Sequence, residues 1–322
     1  MLNYLSLVCF CCSLFLAGCS DPTPLQQLNA PVQLSTDFLL DAKLTENGKQ
    51  TVLLTEHDIQ VIDNFEHKLL QQWPLPSGIQ ARHLALSSYP LRIVAATEKQ
   101  VFLFDFETRQ QLLSQNIKGF SEHAKIDVVQ LNPQGNKILL GLNEGSIVEL
   151  NLLTNRQSRF KLHDSNVRHL FYTGNENMVL SAGNDGQILY WQISSGAIKN
   201  SRKLDSRISS LTLSGDQSKF FVSDVLTSQM VIKLDDFSET QSLDYLQRFR
   251  QFRQAHFIKN DTLITTDSKA GIGKWRLSTE TKIASAFIMA MHFGSTTFDL
   301  TSNGGKLVTI SSDGFLQHWQ IK

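Results

Sequence analysis

Three stretches share one design: SAGNDGQILYWQI at 181–193, TDSKAGIGKWRL at 266–277 and SSDGFLQHWQI at 311–321. Each sets a polar, glycine-bearing turn a few residues ahead of a tryptophan in an apolar run. Four more segments have the same shape without the tryptophan: TEHDIQVID at 55–63, TEKQVFLFD at 97–105, NEGSIVELN at 143–151 and SDVLTSQMVIKLD at 223–235. With Ile62, Phe104, Leu150, Trp191, Lys233 or Leu234, Trp275 and Trp319 as anchors, the steps fall between forty-one and forty-six residues. Self-similarity at such a period is the mark of a repeat architecture, in which each copy buries its apolar faces only against its neighbours.

Within a unit the local signal is strand and turn. The fourth unit runs VRHLFY (167–172), a polar turn, MVLSA (178–182), Gly-Asn-Asp-Gly, QILYWQI (187–193) and IKNSRKL (198–204). Short apolar and β-branched runs bounded by Gly, Asn and Asp are strand signals, and no window sustains a helical period. Four strands at a period near 43 residues resemble WD repeats. The resemblance implies an all-β, seven-bladed β-propeller of four-stranded antiparallel blades. The sequence runs out after the third strand of its seventh unit, so residues 25–34 are expected to supply the outer strand and close the ring. Pro24 and Pro31 suit an outermost strand, which needs only one ladder face.

WD-type blades often hold a hydrogen-bonded set of His, Ser or Thr, Asp and Trp. The matching positions are His163, Ser181, Asp185 and Trp191 in the fourth unit and His292, Thr309, Asp313 and Trp319 in the seventh. A buried indole needs an acceptor for its N–H, and a buried polar chain is tolerated when each member is satisfied. A Ser, a His and an Asp also suggest a hydrolase. A catalytic serine needs an exposed elbow and an oxyanion hole, whereas Ser181 lies inside a strand pattern, so a structural role is expected.

Residues 16–19 read Leu-Ala-Gly-Cys and close an apolar stretch from Leu5 to Phe15. This resembles the lipobox of bacterial lipoproteins and implies cleavage before Cys19 and lipidation of its thiol. Residues 1–18 are then a signal peptide, 19–24 the lipidated Cys with a short tether, and 25–322 one propeller domain. Cys9, Cys11 and Cys12 would leave with the signal peptide, so no cysteine remains for disulfides, metals or thiol catalysis. Ser20 after the lipidated residue implies outer-membrane delivery, facing the periplasm. The tether joins the lower end of the closing strand, which turns the opposite, upper face away from the membrane.

Thirty Lys+Arg balance thirty Asp+Glu, so the net basic field of a nucleic-acid binder is missing. No zinc-protease, Cys-x-x-Cys, phosphate-loop, nucleophile-elbow or calcium-loop motif occurs. No metal and no cofactor beyond the lipid is expected, and the chain reads as non-enzymatic. His57, His67, His83, His123, His169, His256 and His318 are scattered over different units and read as ordinary loop residues, and no carboxylate set recurs in phase with the repeat. The stretch YLQRFRQFRQAHF at 245–257 interleaves Phe with Arg. It reads as the outer strand of the fifth blade with Phe inward, or as an adhesive segment. By position in a WD-type ring, the expected partner contacts are Arg82, Lys125, Arg168, Arg207, Asn184 and Ser312. The resulting expectation is a monomeric ring, alone or within a complex, that offers its upper face to a protein or peptide. An enzyme or small-ligand site in the central channel is the alternative.

Overall fold

The computed structural model describes residues 22–321 apart from 175, 244–249 and 260. The stretch read from sequence as a signal peptide, and Cys19, therefore lie outside the described residues. The strands assort into seven sheets, with blades at 39–74, 83–116, 126–161, 167–203, 208–242, 252–287 and 297–320. Blades one to six each contribute four consecutive antiparallel strands. The fourth blade is typical: Val167–Tyr172 innermost, then Met178–Gly183, Gln187–Gln192 and Ile198–Lys203 outermost. Innermost strands touch their neighbours in order, and the seventh meets the first. This is a seven-bladed β-propeller.

The seventh blade takes its outer strand from the other end of the chain. Gln26–Gln27 and Val32–Gln33 both pair antiparallel with Phe315–Gln320. Leu28 and Leu34 N–H groups donate to His318 and Gly314 carbonyls. The N-terminal segment thus closes the ring. Thr23–Pro24, assigned to the tether from sequence, instead pairs parallel with Ala284 and Ser285 as a fifth strand on blade six. Leu25 between the two is buried in the apolar layer joining those blades. The chain therefore crosses a blade junction before it closes the ring, which welds both sheets.

The core is divided as the repeat requires. Seven apolar clusters each lie between one pair of adjacent blades. Every anchor packs toward the blade before it, and each faces the second residue of its neighbouring strand: Trp191 opposite Val179, Trp275 opposite Leu263, Trp319 opposite Leu307. The same register position in blade five is Ile232, opposite Phe220. The fifth anchor is therefore Ile232, not Lys233 or Leu234. Ile232 is fully buried against blade four, whereas Lys233 is exposed and Leu234 lies beyond the strand.

The Arg/Phe stretch is not the outer strand of blade five, a place held by Glu239–Ser242. Its second half, Phe252–Lys259, is the innermost strand of blade six, with Phe252 and Phe257 buried and Arg253 exposed. Alternation reveals a half-buried strand but not which edge of a sheet it occupies. Residues 244–249 of this stretch lie outside the described residues.

Candidate functional site

In blade four the hydrogen-bonded chain runs inward without a gap. The Trp191 indole donates to Ser181 Oγ at 3.1 Å, and His163 Nε2 lies 2.9 Å from the same oxygen. His163 Nδ1 meets Asp185 at 3.1 Å, and Asp185 also accepts the Asp164 N–H at 2.9 Å. Burial works to raise the Asp185 pKa, but the bonds from His163 and Asp164 outweigh it, and the pKa is lowered. Ser181 and Trp191 are fully buried. The Ser181 hydroxyl sits between the indole and the imidazole, with no surface on which a substrate could meet it.

Blade seven departs from the expected set. Trp319 donates to Thr309 at 3.0 Å and His292 meets Asp313 at 3.2 Å, but these are separate pairs. The His292 side chain is 77% exposed. The reason lies in the loop from one blade's outer strand to the next blade's inner strand. His163 N–H donates to the carbonyl just ahead of its neighbouring third strand, Gly145. The residues making the equivalent bond elsewhere are Leu34, Leu75, Ile117, Leu204, Leu243 and Ile288. Ile288 therefore holds the place that His292 was expected to fill.

A second internal comparison explains the hydroxyls. The position of Ser181 is Thr265 and Thr309 in the other two tryptophan blades, and Trp275 donates to Thr265 at 2.8 Å. In blades one, two, three and five, whose anchors have no side-chain N–H, it is Leu53, Ala95, Leu140 and Val222. The hydroxyl is present where an indole needs an acceptor and absent where it would itself be buried unpaired. This signal is readable in the sequence once the register is known.

The turn carboxylates act on the loop above them. Glu144 accepts the Phe120 and Ser121 N–H groups at 2.6 and 2.8 Å, and Asp313 accepts Met291 N–H at 2.7 Å. With Asp185 they tie the loops entering blades three, four and seven to the upper face. Gly186 follows Asp185 at φ 77°, and a Cβ there would come within 2.5 Å of the Leu204 carbonyl. Both the backbone conformation and the passing loop demand glycine.

The inner strands carry what the sequence reading missed. Asp41, His83, His169 and Asp299 share one register position in blades one, two, four and seven. The carboxylates Asp41 and Asp299 are thus in phase after all, and His83, His169 and His256 are strand residues rather than loop residues. An innermost strand leaves one edge without a ladder partner, and these side chains fill it from the preceding blade. Asp41 accepts Leu84 N–H at 2.8 Å, Asp299 accepts Leu44 N–H at 2.8 Å, and Gln254 donates to the Phe298 carbonyl at 3.0 Å. Lys43 lies 3.9 Å from Asp41 and also feels Asp299. Burial raises the pKa of both carboxyls against the pull of Lys43. Burial and the Arg168 charge lower His83 and His169 to about 4. Charges on blades one, three and four act on His83, which stands on the innermost strand of blade two.

Of the expected partner contacts, Arg82, Lys125, Arg168 and Arg207 are exposed at or just before the start of their inner strands. Lys125 pairs with Glu98 at 2.8 Å, and Arg82 lies 3.9 Å from the same carboxylate. Asn184 and Ser312 are half-buried and bonded to the loops behind them, through Asn166 O and Thr296. Among the described residues no three His, Cys, Asp or Glu side chains gather as a metal site, and no helix is long and apolar enough to cross a membrane.

The fold and these inner-strand and rim residues define a propeller whose polar Ser-His-Asp set serves blade packing. The sequence matches no protein-family model, and no curated protein matches it.

Proposed function

We propose that the chain is a non-enzymatic, lipid-anchored binding protein of the bacterial envelope, which presents the upper face of its ring to a protein or peptide. The observation that carries this reading is the joint presence of Leu-Ala-Gly-Cys at 16–19 and a rigid ring whose candidate catalytic triad is spent on packing. Propellers host many functions, so the fold narrows the choice without making it. The upper-face cations Arg82, Lys125, Arg168 and Arg207, with Asn184 and Ser312, are the proposed contacts. The lipid on Cys19 would hold the ring at the outer membrane, facing the periplasm.

Two measurements test this. Cys19→Ala is expected to move the protein from the membrane fraction to the soluble fraction; retention in the membrane would remove the lipoprotein reading. Crosslinking the lipidated protein in its own cells should capture a protein through the upper face. A second reading, a small-ligand site in the central opening, is favoured by Asp41, Lys43 and Asp299. It is the weaker, because these groups are committed to one another and to the backbone of Leu44 and Leu84.

A further inference from the structure

The innermost edge of the upper face is divided by chemistry, while the loops leading to it also expose Glu122, Asp164 and Asp205. Exposed cations stand on five consecutive blades: Arg82, Lys125, Arg168, Arg207 and Arg253 on blades two to six. Arg82, Arg168 and Arg253 come from one register position of the inner strand, and Lys125 and Arg207 from the residue just before that strand begins. The same places on blades seven and one hold Phe298, Phe38 and Leu40, with Thr296 the one polar residue among them. Beside them the loop entering blade seven exposes Met289, Met291 and Phe293, and Phe38 is 73% exposed. Asp313, a half-buried carboxylate, fixes this loop through the Met291 N–H.

The positive field of the arc is felt across the opening. Arg168 on blade four contributes to lowering both His169 on its own strand and His83 two blades away. Asp127, a carboxylate in the same ring, is occupied by the Asn166 amide. Glu98 is shared by Lys125 and Arg82. Arg168, Arg207 and Arg253 lie on the side of the arc away from Glu98, toward the apolar sector.

We infer that the upper face binds an acidic peptide segment, its carboxylates lying along the cationic arc and a bulky apolar residue at one end resting on the Met289–Met291–Phe293 loop. This deepens the proposed function and rests on its assignment of the upper face as the binding side. Complementary charge sets approach and register, and Met-rich exposed loops accept varied apolar side chains. A phosphate backbone would use the arc but not the apolar sector.

The test uses the full chain and a fluorescent peptide bearing a glutamate run followed by Leu-Phe, with a lysine-run peptide as control. Binding should favour the glutamate peptide and weaken with salt. Arg168→Glu with Arg207→Glu should weaken it by on the order of tenfold and flatten the salt dependence. Met291→Ser with Phe293→Ser should weaken the Leu-Phe peptide but not one ending in Gly-Ser. These side chains are exposed, and an unchanged melting temperature checks that each variant folds; Arg207→Lys should retain binding. Equal binding of both peptides, indifference to the charge reversals, or binding to phosphatidylglycerol vesicles alone would overturn the inference. Photocrosslinkers at Arg207 and, on the lower face, at Leu153 separate the two levels of failure. Upper-face crosslinks that survive charge reversal reject the acidic segment and keep the upper face. Crosslinks from Leu153 alone reject both.

Discussion

At the residue scale, the chain explains its own substitutions, because each position has seven copies. Tryptophan comes with a hydroxyl two residues past the one it faces, and a smaller anchor comes with an aliphatic residue there. Trp191 is fully buried and packs at a tilt against Phe160, ring centroids 4.9 Å apart. Its truncation, Trp191→Ala, should cost ~3–5 kcal/mol as large aromatic deletions in cores do. Ser181→Ala leaves the indole N–H without its acceptor and should cost about 1–3 kcal/mol. In a Trp191→Phe background the same change should cost less, since no indole N–H is orphaned and only His163 Nε2 loses its partner. Denaturant melts of the four proteins in a double-mutant cycle check this. Equal costs in both backgrounds would show that the hydroxyl does not serve the indole.

At the element scale, the loops that build the upper face are held by carboxylates in the turn below. Glu144, Asp185 and Asp313 each accept backbone N–H groups or a ring nitrogen from the loop entering their blade. Histidine completes this contact in blade four, but the apolar residue of the other junctions shows that it is dispensable to the architecture. Removing the Glu144 carboxylate in Glu144→Ala should release the Phe120 and Ser121 amides. Hydrogen exchange at those two amides should accelerate while the strands of blade three keep their protection. Unchanged exchange at residues 120 and 121 would mean that the loop is held by its own packing. The Arg/Phe stretch teaches a related lesson about elements. Its alternation signalled a strand, but the pairing partner decided that Phe252–Lys259 lines the opening instead of the rim.

At the scale of the whole molecule, the opening makes stability depend on pH. His83 and His169 are held neutral, with pKa values lowered from 6.5 to about 4, by burial and the neighbouring arginine. The unfolded chain therefore takes up protons that the folded ring refuses. Stability is full above about pH 6.5 and falls as pH drops toward 4. A melting temperature followed from pH 7.5 to 4.5 should decline across that window, and His83→Gln with His169→Gln should flatten the decline. A wild-type profile already flat between about pH 6.5 and 4.5 would show that these rings are hydrated and unperturbed. The lowered carboxylates Glu144, Asp185 and Asp313 have the same sign at lower pH: their contribution is present above the ordinary carboxylate range and lost as acid protonates them.

The amino-acid sequence alone determined the number of blades, the strands within them, the closing role of residues 25–34 and the tryptophan anchors. These are local or periodic properties, repeated seven times, so the pattern averages out its own irregularities. The Trp191–Ser181 and Trp319–Thr309 pairs were legible too, because both partners sit ten residues apart in one hairpin, whereas the Trp275–Thr265 pair of blade six was not expected from the sequence. The tertiary structure decided what depends on contacts between blades. Ile288 instead of His292 occupies the junction, because loop length sets which residue reaches the neighbouring sheet. Asp41 and Asp299 became members of one ring only in the structure, because the same register position holds His83, Val128, His169 and Ser210 in other blades, so no residue type recurs there to mark the phase. The cations and the apolar loop of the upper rim likewise form one divided surface only when the seven strand beginnings, distant in the chain, are brought around a single opening.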